Sequence, residues 1–370
     1  MPIDGCASFE GTTLYRERFK EVAAENHFRL GRNLWLSSIG IGTYLGAADD
    51  ETDRRYTESI VRAVELGANV IDTAANYRFQ RSERCIGKVL TQLAARTFAR
   101  AEIVICTKGG YLPFDGAPPR DVRRYIEETF IRPGIADWGD IAGGAHCMTP
   151  RYLENQIDQS LVNLNVSCID VYYVHNPESQ LSAVSCDEFW KRLRVAFAFL
   201  EQSVANSKIK YYGVATWNGF RAEPDAEGYH SLERMVQVAQ EVAGDSNHFR
   251  FIQLPINLAM PEALFFQNQT LGDQYVSVLV AAEALEVKVI ASGSILQGQV
   301  ARGLPEGIRD SLGSLATDAQ TGIQFVRSAP GITTALVGMS TIAHVEEILQ
   351  LVGIEPVGSD DLLSVFDQEE

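Results

Sequence analysis

Eight short runs of β-branched and aliphatic residues, separated by longer stretches with helical apolar spacing, most tightly limit what this chain can fold into. The runs are LSSIGIGTY (36–44), NVIDTA (69–74), IVICTKG (103–109), IDVYYVHN (169–176), KYYGVATW (210–217), RFIQLPIN (250–257), VKVIASGS (287–294) and TTALVGMS (333–340). Their apolarity is continuous rather than alternating, as in parallel strands covered on both faces. Between the first two runs, Ile60, Val61, Val64 and Leu66 form an apolar stripe that Gly67 ends. Before the fourth, Thr149 and Pro150 have the form of an N-cap and a first-turn proline. Eight strand and helix units predict an α/β chain closed as a (β/α)8 TIM barrel. A doubly wound sheet would need a glycine-rich phosphate turn after an early strand, and no G-x-G-x-x-G is present there.

The units divide the chain into an N-terminal extension, 1–33, packing on the barrel, the barrel itself, 34–353, and a C-terminal tail, 354–370, with an acidic end. Residues 110–148 form a long loop after strand three that fits no unit. Its Tyr111, Phe114, Tyr125, Phe130 and Trp138 argue for order, and the expectation is a substrate lid, with extra packing as the rival reading. A formal charge of −16 argues against nucleic-acid partners. No basic segment precedes an apolar one at the N-terminus, and no apolar run reaches the roughly 18 residues of a membrane span, so a cytoplasmic protein without membrane contact is expected. Six cysteines stand singly, which predicts reduced thiols. His146 beside Cys147 is the one pairing with a metal-binding look, and two adjacent loop side chains rarely converge on one ion, so no metal is expected.

In such a barrel, polar residues where apolar runs stop are site candidates. Asp72, Tyr77, Lys108 and His175 qualify. A carboxylate and an ammonium inside apolar runs could be a purely structural ion pair. Tyr77 and His175 are not needed for that. An ammonium beside a tyrosine lowers its pKa toward usefulness as an acid and base, and an imidazole N–H can stabilise charge on a carbonyl oxygen.

IGIGTY (39–44), NVIDTAANY (69–77), ICTKGG (105–110), YYVHNP (172–177), YYGVATWN (211–218), ASGSILQG (291–298) and VGMSTIAHVEE (337–347) together resemble the aldo-keto reductase family. The likeness runs from about Leu34 to Gly353, and Asp72, Tyr77, Lys108 and His175 match the family's catalytic tetrad. The resemblance implies an oxidoreductase that reduces an aldehyde or ketone reversibly, with hydride from nicotinamide C4 and a proton from Tyr77. It also implies a cofactor site: Gly42, Thr43, Tyr44 and Asp72 near the nicotinamide ribose, Gln253 and Thr216 at the carboxamide, Ser294, Leu296, Gln297 and Gly298 at the pyrophosphate, and Gly338, Ser340, His344 and Glu347 toward the adenosine.

Five positions depart from the family pattern. Ala215 and Thr216 stand where many members have Ser-Asn, which leaves Thr216 alone to bond the carboxamide. Ile256 stands where a tyrosine often stacks on the nicotinamide. Met339 and His344 replace the basic residues that would grip a 2′-phosphate, so NADP(H) is the first expectation and NAD(H) the alternative. A small-molecule carbonyl substrate is expected against Tyr44, Tyr111, Trp138, Trp217 and Asn218, with Phe114 and Pro177 nearby. The alternative function is a slow reductase-like scaffold that senses cofactor for a regulated partner, as the β-subunits of potassium channels do. A metal-dependent barrel hydrolase would need several ligating side chains at strand ends, where His175 is the one histidine. The sequence leaves the oligomeric state open.

Overall fold

In the computed structural model, residues 1–366 are described, and the last four residues of the acidic tail, 367–370, lie outside them. Eight parallel strands close a barrel in chain order: β1 (Ile39–Gly42), β2 (Val70–Asp72), β3 (Val104–Gly109), β4 (Ile169–His175), β5 (Ile209–Ala215), β6 (Phe249–Pro255), β7 (Lys288–Ser292) and β8 (Ile332–Gly338). Closure comes from β7 pairing with both β6 and β8, and from β8 pairing with β1. Each strand is followed by a covering helix: α1 (Asp50–Glu65), α2 (Arg81–Ala95), α3 (Pro150–Leu164), α4 (Cys186–Ala205), α5 (Leu232–Ala243), α6 (Val278–Ala284), α7 (Asp318–Ser328) and α8 (Ile342–Ile348). The expected (β/α)8 barrel is therefore the fold. Most helices start where a polar side chain takes up an otherwise orphan backbone N–H, as at Asp49 before α1, Ser185 before α4 and Thr317 before α7. Among the described residues, no helix is long and apolar enough to cross a membrane.

The first apolar run is not one strand. Leu34–Ser37 pairs antiparallel with Phe28–Gly31, and only Ile39–Gly42 joins the barrel. The division follows from burial: Leu34 and Leu36 belong to the core inside the barrel, together with Val70, Val104, Val171 and Phe251. The hairpin thus plugs the end of the barrel at which the strands begin, and its apolar side chains read as a continuation of β1. A boundary at residue 33 cuts through this hairpin. A second hairpin, Gln269–Leu271 with Gln274–Val276, lies after β6, where no element had been expected.

Residues 110–148 are ordered. Leu112, Ile126, Phe130 and Ala136 bury against Cys147 and Tyr152 in a small core of their own, beside the helix Val122–Ile126. The segment enters and leaves through a pinch in which the Leu112 N–H donates to Ala145 O and the Cys147 N–H donates to Gly110 O, both at 2.8 Å. Gly110, with φ +145, makes the pinch possible: a Cβ there would lie 2.7 Å from His146 Nε2 and 2.9 Å from His175 O.

Candidate active site

β2, β3 and β4 end side by side, and each delivers one polar group to the same place. Lys108 Nζ donates to Asp72 Oδ1 at 2.6 Å and to Thr73 O at 2.8 Å, and Gln253 Nε2 donates to Asp72 Oδ2 at 2.8 Å. The ammonium lies 5.0 Å from the Tyr77 ring centroid, and that ring meets His175 edge to face at 5.9 Å. Asp72, Tyr77 and His175 line one cavity of about 940 Å³, while Lys108 is fully buried behind them. The chain thus brings together the four residues selected from the sequence.

Their electrostatics differ in one respect from the expectation. Burial pushes the Tyr77 phenol above its ordinary value, and the nearby Lys108 charge offsets that only in part. Tyr77 therefore keeps its proton at neutral pH instead of being tuned downward. Burial also raises the Asp72 carboxyl, against the pull of Lys108 and Gln253. Burial opposes the Lys108 charge, but Asp72 and Tyr77 more than restore it and hold the ammonium above its ordinary value. Burial, Lys108 and His146 keep the His175 imidazole well below its ordinary pKa, so it is neutral. His175 Nδ1 is buried without a partner, which leaves Nε2 as the nitrogen able to meet a ligand.

The cavity runs from this cluster across the strand ends to α8. Gly42, Thr43 and Tyr44 line it beside Asp72, Thr216 and Gln253 lie across from them, and Ser294 with Leu296, Gln297 and Gly298 forms its rim. Gly338, Ser340, His344 and Glu347 line its far end. Leu296, Gln297 and Gly298 all have positive φ, at 44°, 55° and 88°, so the rim turns tightly back over the opening. Of the substrate candidates, Tyr44, Tyr111 and Trp217 line the cavity. Trp138 and Asn218 do not: Trp138 lies on the surface under the Arg123 guanidinium, 5.1 Å from its ring, and the Asn218 N–H points to Glu178. Phe114 packs on Phe79 and Tyr125, and Pro177 is buried. Ile256 is fully buried in the core, and the aromatic side chain on that side of the cavity is Trp217, lying against Gly293.

Glu178 and Arg302 escape the sequence reading, and His146 has a role other than the one its neighbour Cys147 suggests. Glu178, just after β4, accepts the Thr216 hydroxyl at 2.6 Å and the Trp217 and Asn218 N–H groups at 3.1 and 3.3 Å, with His230 Nε2 3.5 Å away. Burial alone would raise this carboxyl, but His230 and Thr216 outweigh it and bring it down to about 2. Thr216 Oγ also accepts the Gly219 N–H at 2.7 Å, so its proton is committed and one lone pair remains for the cavity. The expected carboxamide partner can act only as an acceptor. His146, the metal suspect, instead pairs through Nε2 with His175 O at 2.7 Å and through Nδ1 with the Gln180 amide at 2.8 Å, which fixes the end of β4. Burial pushes it down to about 4. Arg302, exposed on the rim, lines the same cavity as His344 and Glu347. Glu178 could have been sought from its HNPE context. His146 and Arg302 carry no local signal that separates them from other loop residues.

Several known proteins are similar to this chain in sequence or fold. The aldo/keto reductase family model matches residues 38–225, just over half of the chain. The NADP(+) aldo-keto reductase yakc of Schizosaccharomyces pombe is 25% identical over 177 residues, 48% of this chain and 40% of the relative. A putative voltage-gated potassium channel subunit beta of the same organism is 26% identical over 212 residues, 55% of this chain and 51% of the relative. The matched stretches thus span about half the length of these relatives. An aldo-keto reductase of Bacillus halodurans in its holo form superposes with a TM-score of 0.63 at 19% identity, over 93% of this chain and 96% of that one. An aldo/keto reductase of Klebsiella pneumoniae in complex with NADP and acetate gives 0.60 at 17%, over 93% and 95%. With the barrel common to these structures and the family model spanning the strands that carry Asp72, Lys108 and His175, this chain belongs to the aldo/keto reductase family.

Proposed function

We propose that the chain is an NADP(H)-dependent reductase of aldehydes or ketones, with Tyr77 as the proton donor. The observation that carries this reading is the convergence of the Asp72 and Lys108 pair, a protonated Tyr77 and a neutral His175 on one wall of a cavity large enough for a dinucleotide and a small carbonyl compound. The cavity's polar lining fits the cofactor. The Ser294 hydroxyl is buried in its wall without a protein partner, and Thr216 keeps a spare acceptor for an amide N–H. Gln253 and Thr216 would hold the carboxamide, Leu296, Gln297 and Gly298 the pyrophosphate, and Ser340, His344 and Glu347 the adenosine end.

When bound, the nicotinamide supplies hydride from C4. His175 donates its single N–H to the carbonyl oxygen and orients it beside the Tyr77 hydroxyl. Tyr77 passes its proton to that oxygen as negative charge builds there. The Lys108 ammonium, fixed by Asp72, stabilises the tyrosinate that results, so its effect falls on the transition state more than on the resting phenol. Tyr44, Tyr111 and Trp217 surround the opening and favour a carbonyl compound with apolar bulk. The 110–148 segment takes part through Tyr111, and its own core makes it a packed shoulder to the site.

Tyr77→Phe should leave NADPH affinity within about twofold while lowering turnover by about 10²–10⁴-fold; parental turnover would remove Tyr77 from its role. NADP(H) is preferred to NAD(H) because Arg302 brings to the cavity a cation that the β8 segment lacks. Fluorescence titration of both cofactors checks this. Arg302→Ala should weaken NADPH about tenfold and leave NADH unchanged, and equal losses would end the preference.

A further inference from the structure

At the opposite end of the barrel, the chain's first residues run beside the entry to β4. Ile3 bridges Val166 in parallel, its N–H donating to Asn165 O at 2.8 Å and its carbonyl accepting the Ser167 N–H at 3.0 Å. The Gly5 N–H donates to Ser167 Oγ at 2.9 Å, and the Ala7 N–H donates to Asp170 Oδ1 at 2.5 Å. Lys210 Nζ completes the fastening by donating to Ala7 O at 2.7 Å. Cys6 lies between these anchors, and Cys168 lies between Ser167 and Asp170 on the facing segment. The anchors at Gly5 and Ser167 and at Ala7 and Asp170 bracket the two cysteines, and the cysteine side chains lie close enough for Cys168 to act directly on the Cys6 thiol, as a disulfide requires. Cys6 is half-buried and Cys168 is buried, so a reagent from solvent meets Cys6 first.

We propose that Cys6 and Cys168 form a thiol pair that a hydroperoxide converts into a reversible disulfide, fastening the N-terminal segment to the start of β4. The Cys6 thiolate attacks one peroxide oxygen and the O–O bond breaks, giving a sulfenic acid and an alkoxide that takes a proton. The Cys168 sulfur then attacks the Cys6 sulfur, the S–O bond breaks and water leaves. Two thiols lose two electrons and two protons, the peroxide gains them, and the products are a disulfide, an alcohol and water. Cys6 is suited to the first step: the adjacent Cys168 thiol, helped by Lys210 and Arg100, brings its thiol down to about 7 against burial and Asp170, while Cys168 itself is pushed up. Burial pushes Cys85, Cys106 and Cys147 the other way. The bridge would close a loop of more than 160 residues, and Ala7 beside it packs in the core inside the barrel, so the latch holds the plugged end of the fold.

The test treats the full chain with one equivalent of hydrogen peroxide, then alkylates it in denaturant and maps the peptides by mass. The expected result is one linked pair, Cys6 with Cys168, two hydrogens lighter and released by dithiothreitol, and a melting temperature raised by about 5 °C. Cys168→Ser should leave Cys6 as a sulfenic acid that dimedone traps. Cys6→Ser, at a half-exposed position, tests the same point without disturbing the core, and should abolish the linked pair and the rise in melting temperature. The proposal fails if both thiols are recovered alkylated while the exposed Cys186 is oxidised, or if Cys6 passes to sulfinic acid with Cys168 untouched.

Discussion

Asp72 is buried and Glu178 largely so at the mouth of the barrel, and burial pushes both carboxyls up, yet their net shifts run in opposite directions. Asp72 has a cation at 2.6 Å and one amide donor, and its carboxyl is still pushed up. Glu178 gathers a hydroxyl, two backbone N–H groups and a histidine, and is brought down to about 2. Several oriented dipoles on one carboxylate can do more for its charge than a single ion pair that must itself be desolvated. The two arrangements also serve different ends. The Asp72 pair holds an ammonium under Tyr77, whereas Glu178 holds the turn that presents Thr216 and Trp217 to the cavity.

The largest effect should come from breaking the ion pair. Lys108→Met leaves Asp72 buried with only Gln253 as a donor, and should cost about 3–5 kcal/mol in urea unfolding. Turnover should fall by about 10²–10⁴-fold, because the developing tyrosinate loses its cation. A variant that retained parental turnover would mean that Asp72 and Lys108 form only a structural pair.

Glu178→Gln should act on cofactor binding before it acts on chemistry. An amide donor facing Thr216 frees the hydroxyl proton to point into the cavity, where an acceptor is wanted, so NADPH affinity should fall by about tenfold with kcat reduced less than about fivefold. The comparison also has a pH signature. Glu178 titrates near 2 when folded against an ordinary 4.5, so its charge contributes about 3 kcal/mol that is intact above pH 4.5 and is lost as the pH falls toward 2. The variant should therefore show a flatter decline of stability across that window. Asp72, held above its ordinary value, contributes with the opposite sign, its charge costing stability as the pH rises through its folded pKa.

What could be read in the sequence follows from how local each signal is. The barrel was legible because eight runs carry the period and length of buried strands, and Asp72, Lys108 and His175 because each interrupts or ends such a run. The split of Leu36–Tyr44 was not, since the hairpin strand is as apolar as the barrel strand it precedes. Glu178 was missed because its partners are two backbone N–H groups, a threonine 38 positions away and His230, which the pairing of β4 with β5 and the loop after β5 bring together. The rise in the Tyr77 pKa was likewise invisible: proximity to a lysine can be expected from a motif, but the depth of burial that outweighs it cannot.

The smallest effect is the coupling between the two carboxylate networks. They touch at Gln253, whose side-chain amide donates to Asp72 Oδ2 at 2.8 Å and whose backbone carbonyl accepts the Thr216 N–H at 2.9 Å. The second bond belongs to the seam between β5 and β6 and survives either substitution, so little energy should pass through it. In a double-mutant cycle of Lys108→Met and Glu178→Gln, the unfolding free energies should add to within about 0.5 kcal/mol. A coupling above about 1 kcal/mol would mean that Gln253 shifts as a unit between the two carboxylates, and that proton-donor tuning and carboxamide binding are one device.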